Sequence, residues 1–277
     1  MQRVISLEEL RRARKALPGI FGFVPTMGSL HPGHMSLVSR ARSECESVGV
    51  SIFVNPTQFG PREDFGSYPR NLESDLQMLE DAGADLVWTP EAEAIYPAGF
   101  QTWVSVEEVS APLEGKARPG HFRGVATIVT KLFNSVMPAR AYFGQKDAQQ
   151  VAVIKRMVAD LDFPVEIVVC PTVREPDGLA MSSRNVHLSP QERRAAVVLH
   201  RALTAARSLL DGGRRDGDEI RAAMRRVVRS EPLAREEYVS AADPDTLKEL
   251  NEIKDTVLFS LAVRIGKTRL IDNILIP

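Results

Sequence analysis

The sequence predicts an α/β protein: a Rossmann-like, doubly wound parallel sheet followed by a smaller α+β lid domain. Three observations carry this expectation. Apolar runs at 21–27, 48–54 and 84–88 alternate with segments of helical periodicity, the order of parallel strands joined by crossover helices. The runs stop at Gly28, at Asn55 and Pro56, and at Thr89 and Pro90, residues that punctuate strand ends. Past residue 176 the pattern changes to Arg- and Ala-rich helices and then three strand-like segments, so the expected domains are 1–176 and 177–277.

The elements follow in order. Ser6, Leu7, Glu8 and Glu9 form a capping box that opens a helix with Leu7, Leu10 and Leu17 on its apolar side. Residues 21–27 are a buried strand closed by Gly28, and Leu37, Val38, Ala41 and Cys45 then recur at helical spacing. A strand at 48–54 leads into a charged loop rich in Pro and Gly that runs to Arg70, a helix marked by Leu72, Leu76 and Leu79, and a strand at 84–88. Residues 102–106 alternate like an edge strand, and 113–124 read as a glycine-rich loop. A helix is expected at 125–136, a strand at 139–143, a helix at 147–161, a strand at 165–170 and a loop at 174–185. A second capping box, Ser189 to Glu192 with Pro190 at the first helical position, opens one long helix, and another begins near Asp218. Strands at 238–242, 257–265 and 268–276 close the chain, the last two as a hairpin turning at Gly266 and Lys267.

Composition removes several classes. With 277 residues and 44% hydrophobic content the chain can build a full core, which excludes wholesale disorder. The 35 basic residues nearly balance the 36 acidic ones, which argues against a nucleic-acid partner. Cys45 and Cys170 lie far apart with no ligand pattern, giving neither a disulfide framework nor a zinc set. No stretch reaches the ~18 apolar residues of a membrane span, and the N-terminus runs into a charged helix rather than a leader's apolar core. A cytoplasmic enzyme or small-molecule binder is expected.

Four constellations carry chemistry. Residues 25–34 sit at a strand-to-helix junction. Ligands of open α/β sheets bind beyond the carboxyl ends of the strands, and a helix N-terminus favours anions there. Gly28 permits a sharp turn, and Gly33 lets backbone approach a phosphate with no Cβ in the way. His31 and His34, three residues apart, can face one ligand and donate hydrogen bonds to a phosphate as charge builds in a displacement. The plainer alternative is a helix start with two exposed histidines, or half a metal site, although no Cys or carboxylate lies in the loop to complete one. Gly144, Gln145, Lys146 and Asp147 stand where another strand meets a helix. Lys146, in a chain with 27 Arg and only 8 Lys, can place a mobile charge on a polyphosphate, and Asp147 can cap the helix. A surface lysine beside a capping aspartate would look the same.

Met181, Ser182, Ser183, Arg184 and Asn185 offer two hydroxyls and a guanidinium to triphosphate oxygens, with Pro176 to Gly178 suggesting a mobile lid; a polar linker is the alternative. The fourth constellation is a glutamine pair. Gln58 follows a strand end, and Gln150 aligns with Val153, Ile154, Met157 and Leu161 on the apolar face of its helix. A buried amide needs partners, from backbone or from a substrate hydroxyl or carboxylate, and periodicity leaves both open. His121 to Gly124 reads equally as an anion loop or a packing turn. The Arg run from 193 to 229, broken by acids, is a solvated helix face, and His187 and His200 are structural.

Taken together these motifs resemble the pantoate–β-alanine ligases, within the wider nucleotidylyltransferase superfamily. The resemblance is carried by residues 25–34, Phe53 to Phe59, Glu114 to Gly124, Gly144 to Asp147, Ser182 to Asn185 and Leu270 to Asn273, in order over nearly the whole chain. It implies ATP-dependent condensation of (R)-pantoate with β-alanine through a pantoyl adenylate, with release of pyrophosphate and then AMP. By the same resemblance Met27, Gly28, Ser29, Leu30, His31, Pro32, Gly33 and His34 line the ATP site. Gly144, Gln145, Lys146, Asp147, Val173, Met181, Ser182, Ser183 and Arg184 also contact ATP, with no role given to the Gln145 side chain. His34, His31 and Lys146 are the catalytic set. Gln58 and Gln150 hold pantoate, and Gln58 also lies near β-alanine. The resemblance further implies Mg²⁺ as a cofactor and a homodimer. Some relatives use acidic residues near 74–78 for the metal; here Ser74 and Met78 leave only Asp75, so Mg²⁺ is expected mainly on ATP phosphates with no protein ligand. A nucleotidylyltransferase that keeps the nucleotide in its product is the nearest alternative, and a non-catalytic nucleotide-binding module the more distant one.

Overall fold

The computed structural model describes residues 1–61 and 63–277. Six strands form one parallel sheet: β1 (Gln2–Val4), β2 (Phe21–Thr26), β3 (Ser47–Ile52), β4 (Leu86–Trp88), β5 (Arg140–Gly144) and β6 (Glu166–Cys170), in the order β1-β4-β3-β2-β5-β6. The four inner strands, β2 to β5, are buried on both faces because both are covered. Phe21, Phe23, Leu86 and Trp88 face a core shared with Val125, Val129 and Ile154, while Val24, Val48, Val50 and Val87 face Val38, Ala41 and Leu79. The covering helices are α1 (Leu7–Ala16), α2 (Pro32–Glu44), α3 (Leu72–Asp81), α4 (Ala92–Ile95), α5 (Glu114–Ala117), α6 (His121–Val136) and α7 (Ala148–Asp160). Ser6 caps α1 through the expected box with Glu9.

The chain then forms α8 (Pro190–Ala195), α9 (Val198–Asp211) and α10 (Gly217–Arg229) before an antiparallel sheet of β7 (Ala234–Ala242), β8 (Val257–Ile265) and β9 (Thr268–Ile276). These have their own core, in which Leu199, Leu203, Ile220 and Met224 pack against Val239, Phe259, Leu261 and Val263.

Four expectations need correction. The 102–106 segment is not a strand. The Val104 N–H bonds the Thr127 hydroxyl at 3.0 Å, and Trp103 stacks on Tyr96 and lies under the Arg123 guanidinium, so side chains, not a neighbouring strand, hold it in place. The glycine-rich 113–124 stretch contains α5 and the first turn of α6. The long helix after Ser189 is two helices, because the Leu199 N–H bonds the Ala196 carbonyl in a tight turn that shifts the helical register. The three-residue strand β1, which carries no apolar run of its own, is an addition to the expected sheet; it pairs with β4 at the edge.

Strand order fixes where a ligand can go. From β2 the chain builds outward through β3 and β4, then returns to start β5 on the opposite side, so β2 and β5 flank the switch point. Their carboxyl ends carry the loops at 27–31 and 144–147. The small sheet leans over this edge: Arg269 of β9 makes two bonds to the buried carboxylate of Glu114 at 2.6 and 2.7 Å. Arg174 pairs with Asp272 of β9 at 2.6 and 2.9 Å. The resulting cleft has a volume of about 880 Å³ and shares Lys146, Gln150 and Arg184 with an adjoining inner cavity of about 230 Å³.

Candidate active site

The first loop is built by capture of its backbone. Gly28 takes φ +79°, and a Cβ there would stand 2.9 Å from the Asp75 carboxylate. That carboxylate accepts the N–H groups of Ser29 (2.9 Å) and Leu30 (2.8 Å), tying the loop to α3. His31 then caps α2, its Nδ1 accepting the Gly33 N–H at 3.1 Å. Gly33 therefore has a different purpose from the one expected: its missing Cβ makes room for the His31 ring, which would lie 2.8 Å from it, and its N–H is occupied by that ring.

The two imidazoles are stacked obliquely, with centroids 4.0 Å apart. Burial, with Lys146 nearby, lowers the His31 pKa to about 4, and burial beside His31 lowers that of His34 to about 3, despite the opposing Asp147 carboxylate. Both are neutral at pH 7. Because Nδ1 of His31 accepts, its proton sits on Nε2 and is available as a donor. Nδ1 of His34 is buried without a hydrogen-bond partner.

The second loop is one 3₁₀ turn, Gln145–Asp147, between β5 and α7. Lys146 Nζ lies 3.7 Å from the Asp147 carboxylate. Asp147 occupies the N-cap position but makes no side-chain cap bond, contrary to expectation; the turn carries the chain into the helix, and the carboxylate stands beside the lysine instead.

The third segment folds back on itself. The Met181 N–H bonds the Val173 carbonyl at 3.0 Å, so both border the inner cavity with Ser182, Ser183 and Arg184. Arg184 is held rather than free: its guanidinium makes two bonds to Asp64 at 2.8 and 2.9 Å, and Ser183 meets the Tyr68 hydroxyl at 3.3 Å. Burial alone would raise the Asp64 carboxyl pKa, but Arg184 outweighs it and leaves it lowered.

The glutamines divide. Gln58 is buried, its Oε1 accepting from Asn55 (3.0 Å) and its amide nitrogen 3.1 Å from the Met27 sulfur. Asn55 is fixed in turn by the Tyr96 hydroxyl (2.8 Å) and by its own bond to the Gly124 carbonyl (3.2 Å). The His121 Nδ1–H donates to the Gln58 carbonyl at 2.8 Å, while Nε2 accepts from Arg118 at 3.1 Å. This pairing requires neutral imidazole, consistent with a pKa that burial and Arg118 push down to about 4. Arg118 is itself clamped by Glu63 at 2.6 and 2.7 Å. Gln150, expected among the buried apolar residues of its helix, is half-buried and lines both the cleft and the inner cavity. The structural amide is its neighbour. Gln149 accepts the Glu114 N–H (2.9 Å) and donates to the Val109 and Pro112 carbonyls at 3.0 and 2.9 Å.

Thus Met27, His31, Gly33, His34, Gln58, Gly144, Lys146, Asp147, Gln150, Val173 and residues 181–184 border one inner cavity. Sequence reasoning gave no role to Asn55, Glu63, Asp64, Tyr68, Arg118 or Gln149, whose partners lie in distant segments. Leu270 and Asn273 border the outer cleft. Among the described residues no group of three or more His, Cys, Asp or Glu is placed to hold a metal, and both oxygens of Asp75 are occupied by the loop.

A parallel sheet with paired imidazoles and a lysine loop at its switch point is the architecture of a Rossmann-like α/β enzyme. A sequence profile described as pantoate-beta-alanine ligase matches residues 1–275. Pantothenate synthetases of Roseiflexus sp. (strain RS-1) and Herpetosiphon aurantiacus are 62% and 60% identical, each aligned over 99% of this chain and 98% and 99% of their own. The crystal structure of pantothenate synthetase from Thermus thermophilus superposes with a TM-score of 0.95 at 50% identity, covering 99% of both chains. That of pantoate-beta-alanine ligase from Francisella tularensis, complexed with beta-gamma ATP and beta-alanine, gives 0.81 at 36%, covering 99% of this chain and 97% of that one. The chain belongs to the pantoate–β-alanine ligase family.

The division between the two amides can be measured. Gln149→Leu, which strands one buried N–H and two carbonyls, should cost about 2–4 kcal/mol in urea unfolding, whereas Gln150→Leu should stay within about 0.5 kcal/mol. Equal effects would contradict it. For His31, His34 and His121 the folded pKa lies below the ordinary 6.5, so the unfolded chain binds more protons in between. Their contribution to stability is therefore complete above pH 6.5 and is lost as the pH falls towards about 4 and 3. The melting temperature should drop across that window, less steeply in His121→Gln; a parallel slope in the variant would show that His121 is not buried neutral.

Proposed function

We propose that this chain joins (R)-pantoate to β-alanine at the expense of ATP, through a pantoyl adenylate. The observation that carries the reading is the convergence of two neutral histidines, Lys146 and two glutamines on one inner cavity, in a member of this ligase family. A free carboxylate is a poor acylating agent because its oxyanion leaves badly. In the first step a pantoate carboxylate oxygen bonds to the α-phosphorus of ATP, and the bond to pyrophosphate breaks. In the second the amine nitrogen of β-alanine bonds to the acyl carbon, the bond to AMP breaks, and the amine gives up a proton.

Roles are assigned by chemistry. The 27–34 loop, residues 144–147, Val173 and 181–184 take ATP. Lys146 offers its ammonium to the phosphates. His31 donates from Nε2–H, and His34, buried beside it, is the second imidazole facing the reacting phosphate; a bound polyanion raises the proton affinity of both. Arg184, paired with Asp64 here, is the guanidinium that a triphosphate must win from that carboxylate. Gln150, which lines the cavity, and Gln58 hold pantoate, and Gln58 also meets β-alanine. Residues 1–176 form the substrate-binding body and 177–277 the lid that shields the adenylate from water. Among the described residues Asp75 is committed to the loop, so Mg²⁺ would arrive on the nucleotide phosphates. A cytoplasmic homodimer completes the reading, on the strength of the family resemblance.

Product analysis tests the reaction. Incubation with ATP, pantoate and β-alanine should yield AMP and pantothenate in equal amounts, with neither formed when pantoate is omitted. A product that retains the nucleotide, or ATP binding without turnover, would contradict it.

A further inference from the structure

The run Leu270–Asn273 belongs to the small sheet, and the proposed reaction gives it no part. Its last residue nevertheless reaches the edge of the large one. Asn273 Nδ2 donates to the carbonyls of Gln145 (3.0 Å) and Lys146 (2.8 Å), and its Oδ1 accepts from Gln145 Nε2 at 3.1 Å. The residue is buried, 4% exposed. It is also held from behind. Its N–H ends on Asp272 Oδ1 at 2.8 Å, and its carbonyl accepts from Arg174 at 3.2 Å. Arg174 grips the Asp272 carboxylate through both terminal nitrogens and reaches the Gly178 carbonyl at 3.0 Å. A continuous polar chain thus runs from the interdomain segment, through β9, to the backbone of Lys146.

The chemistry of the contact is selective. Two successive carbonyls of the 145–147 turn converge on one nitrogen while Gln145 Nε2 donates to the neighbouring oxygen, which requires a group with two N–H bonds and an acceptor beside them. A primary amide supplies it; a hydroxyl has one proton and a carboxylate none. Fixing both carbonyls fixes the peptide planes around Lys146 and hence the direction in which its side chain leaves. Asp147 makes no cap bond that would hold the turn from the helix side. We propose that Asn273 is a positioning residue for Lys146, so that the small sheet sets the ammonium on which adenylation depends. The proposal rests on the reading of Lys146 as the cation for the ATP phosphates.

Single-turnover release of pyrophosphate from ATP and pantoate tests it on the full chain, with Lys146→Ala, Asn273→Ala and the double variant. Asn273→Ala should slow release roughly tenfold or more and raise the ATP concentration required, because a misaimed group costs rate steeply. The half-saturating pantoate concentration should stay within about twofold, and adding Asn273→Ala to Lys146→Ala should deepen the loss by less than about twofold, since the residue it aims is gone. Losses that multiply in the double variant would mean that Asn273 acts independently of the lysine and would overturn the proposal, as would undiminished release in Asn273→Ala. If truncation unfolds the chain, Asn273→Asp keeps the shape while presenting only acceptors to the two carbonyls, and the same cycle decides. Undiminished release in Lys146→Ala would overturn the underlying reading of the lysine and the proposal with it. An impaired Lys146→Ala with multiplying losses would overturn the positioning role alone.

Discussion

Two backbone N–H groups, those of Ser29 and Leu30, end on the carboxylate of Asp75, and the geometry of the cleft descends from that capture. A loop leaving a central parallel strand has several donors and no ladder to receive them. By taking two of them, Asp75 sets the point at which the chain turns into α2, and so allows His31 to become the N-cap. The ring must then lie over Gly33, and His34 falls beside it three residues on. Both imidazoles are half-buried and neutral as a result, so each can donate only one proton. A charged pair so close together would repel and would also lose its hydration. The loop thus presents neutral donors, and an arriving anion raises the proton affinity of both rings.

The same logic governs the opposite wall. Arginines 118 and 184, which border the inner cavity, are each held by two bonds to adjacent acids, Glu63 and Asp64, on one loop. Paired guanidinium and carboxylate groups keep fixed orientations, so the charges facing the cavity are oriented before a ligand arrives. Glu114 and Arg269, Asp272 and Arg174, and Asn273 with the 145–147 turn join the small sheet to the large one through polar contacts. Apolar packing crosses as well: Leu247 and, from β8, Leu258 are buried in the core of the large sheet.

Much of this was legible in the sequence because local rules and tertiary demands agreed. The inner strands of the large sheet read as apolar runs since both faces are covered, whereas the edge strand β1 does not, and Ser6 and Ser189 announce their helices through capping boxes that form as written. Reading failed where partners were distant. Alternation at 102–106 mimics a strand, yet the Val104 N–H goes to the Thr127 hydroxyl rather than to a neighbouring strand. The period holds for Val153, Ile154 and Met157 but not for Leu161, which is exposed, and the first turn of α7 is buried against the 109–114 segment as well, so Gln149 takes the structural bonds and Gln150 is left at the cavity wall. Arg184 reads as a free cation in the sequence because Asp64 lies 120 residues away. The neutrality of the histidines has no local signature at all; it comes from burial.

The central claim is that a preassembled phosphate-binding edge activates pantoate before any amine takes part. Exchange of labelled pyrophosphate into ATP measures that first step in isolation, because it needs the adenylate to form and reverse. The account predicts exchange that depends on pantoate and proceeds without β-alanine. Exchange that requires β-alanine, and none with pantoate alone, would contradict it.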